Sequence, residues 1–252
     1  MKPPEVSGDV IGGDEALQRI ANDLRDISEQ FASVEVSAVV RGNRSFRGLS
    51  WRCQAMANAN LLRGQEILRF AVLAVNEGAI IVAHIMARAL DETLAAVVFA
   101  RRKLERAIES RDPEKLGDVL DRLTVGSRYL ANRDAVHPSS YSVLSMVDEM
   151  GAYLAEVVPE TKREVSVFRE DYEFVSEFVH PSEGSLTIYQ RTSGEKTEFD
   201  REVAKGGVAI PYLLEALRMS GHFLLKEAES LANMGDLPAD WPIGGWRDRG
   251  GA

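Results

Sequence analysis

Apolar residues recur along most of the chain at alternating spacings of three and four, the period of one face of an α-helix. The first stripe follows Asp14, a residue type that caps helix N-termini, and comprises Leu17, Ile20, Leu24, Ile27, Phe31 and Val34. A second helical region runs from about Ser50 to Ser110, with a turn or kink at residues 76–78. The last stripe, in a helix over about 208–233, contains Gly221, which would let another helix approach closely.

Start and stop signals divide the region between these helices. The boundaries are set by Asp112, Pro113, Gly126, Pro138, Ser140, Pro159 and Pro181. They predict helices over about 113–126, 127–136, 140–157 and 159–180. Residues 185–200 alternate instead, with Leu186 and Ile188 on one side, a turn at 192–194 and a returning segment at 196–199, which predicts one β-hairpin.

These elements predict an all-α fold, a helical bundle of about seven helices with one small β-hairpin. Residues 1–13, which are rich in Pro and Gly, are expected to form a disordered tail. Residues 14–235 form a single helical domain in this interpretation. Residues 236–252 are a C-terminal tail whose Trp241 and Trp246 would either fold back or bind a partner.

The composition of the chain indicates its cellular compartment and its net charge. The 252 residues include one cysteine, Cys53, so no intrachain disulfide is available and a cytoplasmic setting is expected. Cys53 is interpreted as a small buried hydrophobe because no nucleophile motif surrounds it. The N-terminal residues lack the apolar core of a signal peptide, and polar residues interrupt the most apolar stretch, so no membrane span is expected. The net charge of −9 opposes non-specific binding to nucleic acid.

One local segment runs against that acidic balance. Arg41, Arg44, Arg47 and Arg52 alternate with Phe46 and Trp51. Guanidinium groups hold phosphates and aromatic rings stack on bases, so the segment is a candidate nucleic-acid-binding patch. The alternative is a solvated loop whose aromatic side chains pack onto the bundle.

Arg88 and Glu92 are the first candidate site residues. Four apart on a helix, they are neighbours, and they lie near the middle of a face shared with Ile81, Ile85, Ala95 and Phe99. A charged pair in an apolar stripe should be at least partly buried, which is costly unless each charge finds partners. The pair is therefore either a structural link or part of a functional site.

A second line of polar residues lies on the helix that Pro181 ends. Tyr172, Ser176 and His180 are four apart and share one side of it. His180 lies at the helix C-terminus, where the helix dipole favours a protonated imidazole. It is either a general acid or a C-terminal capping residue.

An Arg-x-x-x-Glu helix followed by Tyr-x-x-x-Ser-x-x-x-His-Pro-Ser resembles a family of helical bacterial proteins of unknown function that looks related to the HEPN superfamily. The matching residues are Arg88, Glu92, Tyr172, Ser176, His180, Pro181 and Ser182, and the similarity covers about residues 77–235. The resemblance implies a helical core, a homodimer and a polar site joining Arg88 to His180. Many HEPN proteins are metal-independent ribonucleases of defence, toxin or stress systems, in which an Arg holds the scissile phosphate and a His transfers protons.

The sequence departs from the HEPN motif, which has four to six residues between the Arg and the His. Arg133 and His137 have only three between them, and Arg169 and His180 have too many. Either the composite pair of Arg88 and His180 takes the role or the chain is not catalytic.

No complete metal or cofactor motif is present: the two Glu-x-x-His motifs of a ferritin-like di-metal site are not both found, and no His-Glu-x-x-His, Cys-x-x-Cys, phosphate-binding loop or nucleophile elbow occurs. His84 and His222 are expected to be core or groove residues.

Two hypotheses follow. The first is a metal-independent endoribonuclease in which Arg88 binds phosphate, Glu92 orients it, His180 transfers protons, and Tyr172 and Ser176 hydrogen-bond His180 or substrate. The second is a non-catalytic interaction module in which these residues lock the bundle and exposed aromatics recruit a protein partner.

Overall fold

A computed structural model describes residues 4–34, 49–124, 126, 138–163, 166–194, 196–199, 203 and 209–234. The helices are α1 (Gly8–Ile11), α2 (Glu15–Ser33), α3 (Leu49–Asn76), α4 (Ile80–Glu109), α5 (Pro113–Thr124), α6 (Val143–Val157), α7 (Val167–Val179), α8 (Glu183–Thr187) and α9 (Ala209–Ala232). A 3₁₀ turn covers Pro159–Thr161, and the strands β1 (Gln190–Ser193) and β2 (Lys196–Phe199) form an antiparallel hairpin.

The all-α prediction is confirmed. In the described part of the chain seven helices have twelve residues or more, namely α2, α3, α4, α5, α6, α7 and α9. The short α1 and α8 are additions that the apolar periodicity did not indicate. No helix among the described residues has the length and apolar character needed to cross a membrane.

Helices α3, α4 and α9 form the centre of the bundle. Ser220 and Glu227 of α9 contact Asp91 and Arg101 of α4, so α9 runs parallel to α4. Gly221 lies where a Cβ would come within 3.0 Å of the Ile27 side chain of α2, which confirms the predicted close approach. The buried side chains of these helices form the core.

Helices α6 and α7 cover another side of α4. The rings of His84 and Phe178 are 4.2 Å apart, and Arg88 hydrogen-bonds Tyr172. Position increases along α4 as it decreases along α7, so the two helices are antiparallel. This arrangement brings the C-terminal end of α7 beside the first half of α4.

The expected disorder of residues 1–13 is wrong for residues 4–13. Val6, Val10 and Ile11 are buried in the core. The Asn76 side chain accepts a hydrogen bond from the Ser7 N–H at 2.8 Å and donates one to the Glu5 carbonyl at 2.8 Å. The Pro and Gly content suggested a tail, but three apolar side chains and one amide are enough to hold this segment against the end of α3.

The predicted helix starts have mixed outcomes. The carboxylates of Asp14 and Asp112 each accept backbone N–H groups of the first turn that follows them, as expected. The cap before α6 is Ser142 rather than Ser140, because the Ser142 hydroxyl accepts the Ser145 N–H. Pro159 begins only a 3₁₀ turn, and the helix after it begins at Ser166, whose hydroxyl accepts the Arg169 N–H.

The hairpin is confirmed, but its first strand is shorter than predicted. Residues 183–187 are helical, so Leu186 belongs to α8 and Ile188 follows it, outside β1. The Ser185 hydroxyl accepts the Ser182 N–H at 3.0 Å and lies 3.0 Å from the Ser182 carbonyl, to which it donates, and these bonds start the helical turn. The alternation that suggested a strand is therefore overridden by a local cap. The predicted helix at 127–136 and the tail at 236–252 lie outside the described residues.

Candidate functional site

Helix α4 presents Arg88 and Glu92 one turn apart. The Arg88 Nε lies 3.1 Å from the Glu92 Oε1. The two side chains are 25% and 26% exposed, so the pair is half-buried, as its position in an apolar stripe predicted. Partial burial limits water access and makes the contact stronger than a fully exposed pair.

The Tyr172 hydroxyl joins α7 to this pair. It accepts N–H groups from Arg88 Nη2 at 2.9 Å and Nε at 3.2 Å, and it donates to Glu92 Oε1 at 3.0 Å. Burial raises the pKa of Tyr172, as does its hydrogen bond to Glu92. The phenol therefore stays protonated and fixes the direction of the bond to Glu92.

His180 completes the cluster from the end of α7. It is the C-cap residue of that helix and is exposed to solvent. Its Nε2 lies 3.3 Å from Arg88 Nη1. Because a guanidinium nitrogen can only donate, this contact requires an unprotonated Nε2. The imidazole thus faces a cation rather than the helix carbonyl groups that a capping role would use.

The Arg88 guanidinium retains unused donors. An arginine has five N–H groups. Its Nε–H is shared between Glu92 and Tyr172, one Nη2 N–H binds Tyr172, and one Nη1 N–H points to His180. One N–H on each terminal nitrogen has no partner within the described ranges. These donors and the exposed imidazole of His180 can bind a small anion at the surface.

The structure brings together four of the five predicted central residues: Arg88, Glu92, Tyr172 and His180. Ser176 lies on the same helix, but its hydroxyl donates to the Tyr172 carbonyl at 2.6 Å. The Ser176 carbonyl accepts the His180 backbone N–H at 3.2 Å, but within the described region the Ser176 hydroxyl makes no hydrogen bond to the His180 imidazole.

The one arginine of the predicted basic patch that the structure describes lies outside this site. Arg52 donates to Asp121 at 3.0 Å, so it links α3 to α5. Arg41, Arg44 and Arg47 lie outside the described residues.

The other singled-out residues have structural environments. Cys53 is fully buried, and burial raises the pKa of its thiol to about 12, so it is an inert hydrophobe, as expected. His84 is a core residue, as expected: burial lowers its pKa, and its Nδ1 lies 2.8 Å from the Ile80 carbonyl. His222 is exposed, so placing it in the core or a groove was wrong. No metal-holding group of three or more His, Cys, Asp or Glu occurs in the described segments.

A second polar layer, behind the site, was missed from the sequence. Asp91 accepts a hydrogen bond from Ser220 at 2.5 Å, and Asp171 accepts one from the Tyr212 hydroxyl. The signal was present for Asp91. It lies in the stripe formed by His84, Ala87, Asp91, Leu94 and Val98, all of which are buried.

No protein-family model, curated protein or solved structure matches the chain.

Proposed function

We propose that the chain is a metal-independent endoribonuclease of a bacterial defence or stress system, similar to HEPN proteins and acting in the cytoplasm. The observation that carries this proposal is the 3.3 Å contact between Arg88 Nη1 and His180 Nε2, two groups 92 positions apart that meet at the surface. Cleavage of RNA without a metal needs at least a cation that binds the phosphate and a neutral imidazole that accepts a proton.

The chemistry uses each group once. The non-bridging oxygens of the scissile phosphate accept the unused N–H groups of Arg88 and displace His180 from Nη1. The freed Nε2 then takes the proton of the ribose 2′-hydroxyl, whose oxygen forms a bond to phosphorus. The bond between phosphorus and the 5′ oxygen breaks, that oxygen takes a proton from water, and the hydroxide that remains takes the proton held at Nε2, which restores the neutral imidazole. The products are a 2′,3′-cyclic phosphate and a 5′-hydroxyl end.

Glu92 and Tyr172 position the guanidinium in this scheme. Both bind the Nε side of Arg88, which leaves donors on its outer edge for phosphate. A guanidinium held from two helices loses little freedom when it binds, and such preorganisation favours the transition state.

A second candidate is the non-catalytic interaction module. It is favoured by the charge around the site: Glu92 neutralises Arg88, and the exposed surface of α7 carries Glu177 beside a Glu173 that is paired with Arg169. Acidic side chains repel a polyanion such as RNA. Phe174 of the same helix is an exposed aromatic that a protein partner would cover.

The test is RNA cleavage in the presence of a chelator by the wild type, His180→Ala and His222→Ala. His222 is a matched control, because it is an exposed helical histidine that makes no contact with Arg88. We expect His180→Ala to lose roughly 10²–10⁴-fold in rate, His222→Ala to keep the wild-type rate, and the products to carry cyclic phosphate ends.

Absence of cleavage by the folded wild type across single-stranded and structured RNA would overturn the proposal. A loss of thermal stability in His180→Ala, but not in His222→Ala, would then support the structural network of the second candidate.

A further inference from the structure

Two acid–hydroxyl pairs lie directly behind the site. Asp91 immediately precedes Glu92 in α4, and Asp171 immediately precedes Tyr172 in α7. Both acids bind α9: Asp91 through the Ser220 hydroxyl at 2.5 Å, and Asp171 through the Tyr212 hydroxyl. Helix α9 therefore holds the two helices that carry the site, at the positions next to the site residues.

The Asp91 carboxyl is in an environment that disfavours a charge. It is 5% exposed, and its hydroxyl partner Ser220 is buried with it. The charged groups with the largest effect on it are both acidic, Asp171 across from it on α7 and Glu92 on its own helix. On α9 the neighbouring ionisable group is the Tyr212 phenol, which is itself affected by the charge of Asp91.

Among the residues that the structure describes, no cation offsets these acids at Asp91. Arg88, the arginine one turn earlier on α4, is directed to Glu92 and Tyr172. A buried carboxylate with one neutral donor and two acidic neighbours is strongly disfavoured relative to the neutral acid. Burial accordingly raises the pKa of Asp91 to about 7.

We propose that Asp91 is a positioning residue for the site and a pH-sensitive latch, whose neutral carboxyl lets α4 pack beside Asp171 of α7 and whose ionisation loosens the layer beneath Glu92 and Tyr172. The neutral acid accepts the Ser220 hydroxyl without placing a charge in the core. The ionised form places a negative charge beside Asp171 of α7, which pushes α4 away from α7, while the Ser220 hydroxyl of α9 still donates to the carboxylate. The Arg88 contacts then change as a consequence.

This role for Asp91 goes beyond RNA cleavage and does not require it. The site would respond to pH whatever its ligand is. The readouts are therefore taken from the protein alone, so that failure of the nuclease proposal leaves the latch testable.

The first measurement is a titration of the Asp91 side-chain carboxyl carbon by NMR in the unmodified protein. A midpoint near 7 is expected, against about 4 for an ordinary aspartate. This measurement needs no variant and so does not depend on whether a variant folds. A midpoint below about 5 would overturn the proposal.

The second measurement follows the Arg88 Nε–H signal between about pH 5 and pH 9. We expect a change with the same midpoint as the carboxyl in the wild type and its loss in Asp91→Asn, an uncharged mimic of the neutral acid. Asp26→Asn, the same change at an exposed position of α2, should keep it.

His180→Ala separates the latch from titration of the imidazole, since it removes the ring that contacts Arg88. The transition should persist in this variant. Persistence in Asp91→Asn, or disappearance in His180→Ala, would show that Asp91 is not the responding group.

Discussion

Glu227 offers a quantitative test of how the bundle is held together. Its carboxylate is 1% exposed and accepts the Tyr153 hydroxyl at 2.6 Å and the Arg101 Nε at 2.9 Å. The contacts connect α9 to α6 and α4. Burial and the bond to Glu227 raise the pKa of Tyr153 to about 12, so the phenol remains a donor throughout the neutral range.

The loss in the free energy of unfolding for Glu227→Ala can be estimated from the groups that lose a partner and from the cavity that forms. The buried Tyr153 hydroxyl loses its acceptor, at about 1–3 kcal/mol, and the vacated volume adds about 1 kcal/mol. Arg101 is 15% exposed and keeps Glu105 at 2.6 Å, so its charge is not left unpaired. We expect a loss of about 3 kcal/mol in the free energy of unfolding, at the low end for breaking a buried ion pair.

Urea denaturation at neutral pH measures this loss. Glu229→Ala is the matched control, because Glu229 is exposed on the same helix. The control should change stability by less than about 0.5 kcal/mol. Glu227→Gln should give an intermediate loss, since the amide keeps one acceptor oxygen but presents an NH₂ group to the second donor. A loss below about 1 kcal/mol for Glu227→Ala would refute the assignment of Glu227 as a buried link between three helices.

Two further predictions concern packing and pH. Gly64→Ala should destabilise the chain by about 1–2 kcal/mol, measured by the urea midpoint, because a Cβ there would overlap the Leu224 side chain of α9 and the gain in helix propensity is only about 1 kcal/mol; unchanged or increased stability would contradict this packing. Asp91 should make the folded state lose stability as pH rises from about 4 to about 7, because the folded chain binds the extra proton in that window. The rise in its pKa from 3.8 to about 7 corresponds to about 4 kcal/mol, so denaturation curves of the wild type and Asp91→Asn should diverge over that window; parallel curves would contradict the pKa.

The long helices were predictable because each carries its own signal. The stripe in α2 lies on one side of a single helix, and Leu24, Ile27 and Phe31 are buried as the three-four spacing requires. Burial of such a stripe is the main reason a helix is stable in a protein. The information is local, so no knowledge of the partner helix was needed.

The failures occurred where a few contacts compete with composition. Residues 4–13 have the Pro and Gly content of a tail, yet Val6, Val10 and Ile11 find an apolar surface on the end of α3. At residues 183–187 hydrogen bonds between two serines start a helical turn and override two alternating apolar positions. Both outcomes depend on the contacts of single side chains, and the spacing of apolar residues gives no information on such contacts.

The site itself was only partly predictable. Spacing placed Arg88 beside Glu92 and aligned Tyr172 with His180, because helical neighbours follow from sequence distance alone. The contact between the two helices does not follow from sequence distance. The resemblance to helical bacterial proteins was the only reason to expect Arg88 and His180 to meet. The acid–hydroxyl pairs of Asp91 and Asp171 were missed because their partners lie on α9, far along the chain.

The charge balance of the site determines what a ligand must do. Glu92 compensates the Arg88 cation, so a phosphate gains from unused N–H groups rather than from a net positive charge. Hydrogen bonds from a guanidinium to a phosphate are short-ranged and directional, whereas attraction of a polyanion from a distance needs a basic surface. The acidic side chains of α7 oppose that attraction. If RNA is the substrate, its affinity must therefore come from residues beyond this cluster, and Arg88 and His180 contribute to the chemical step.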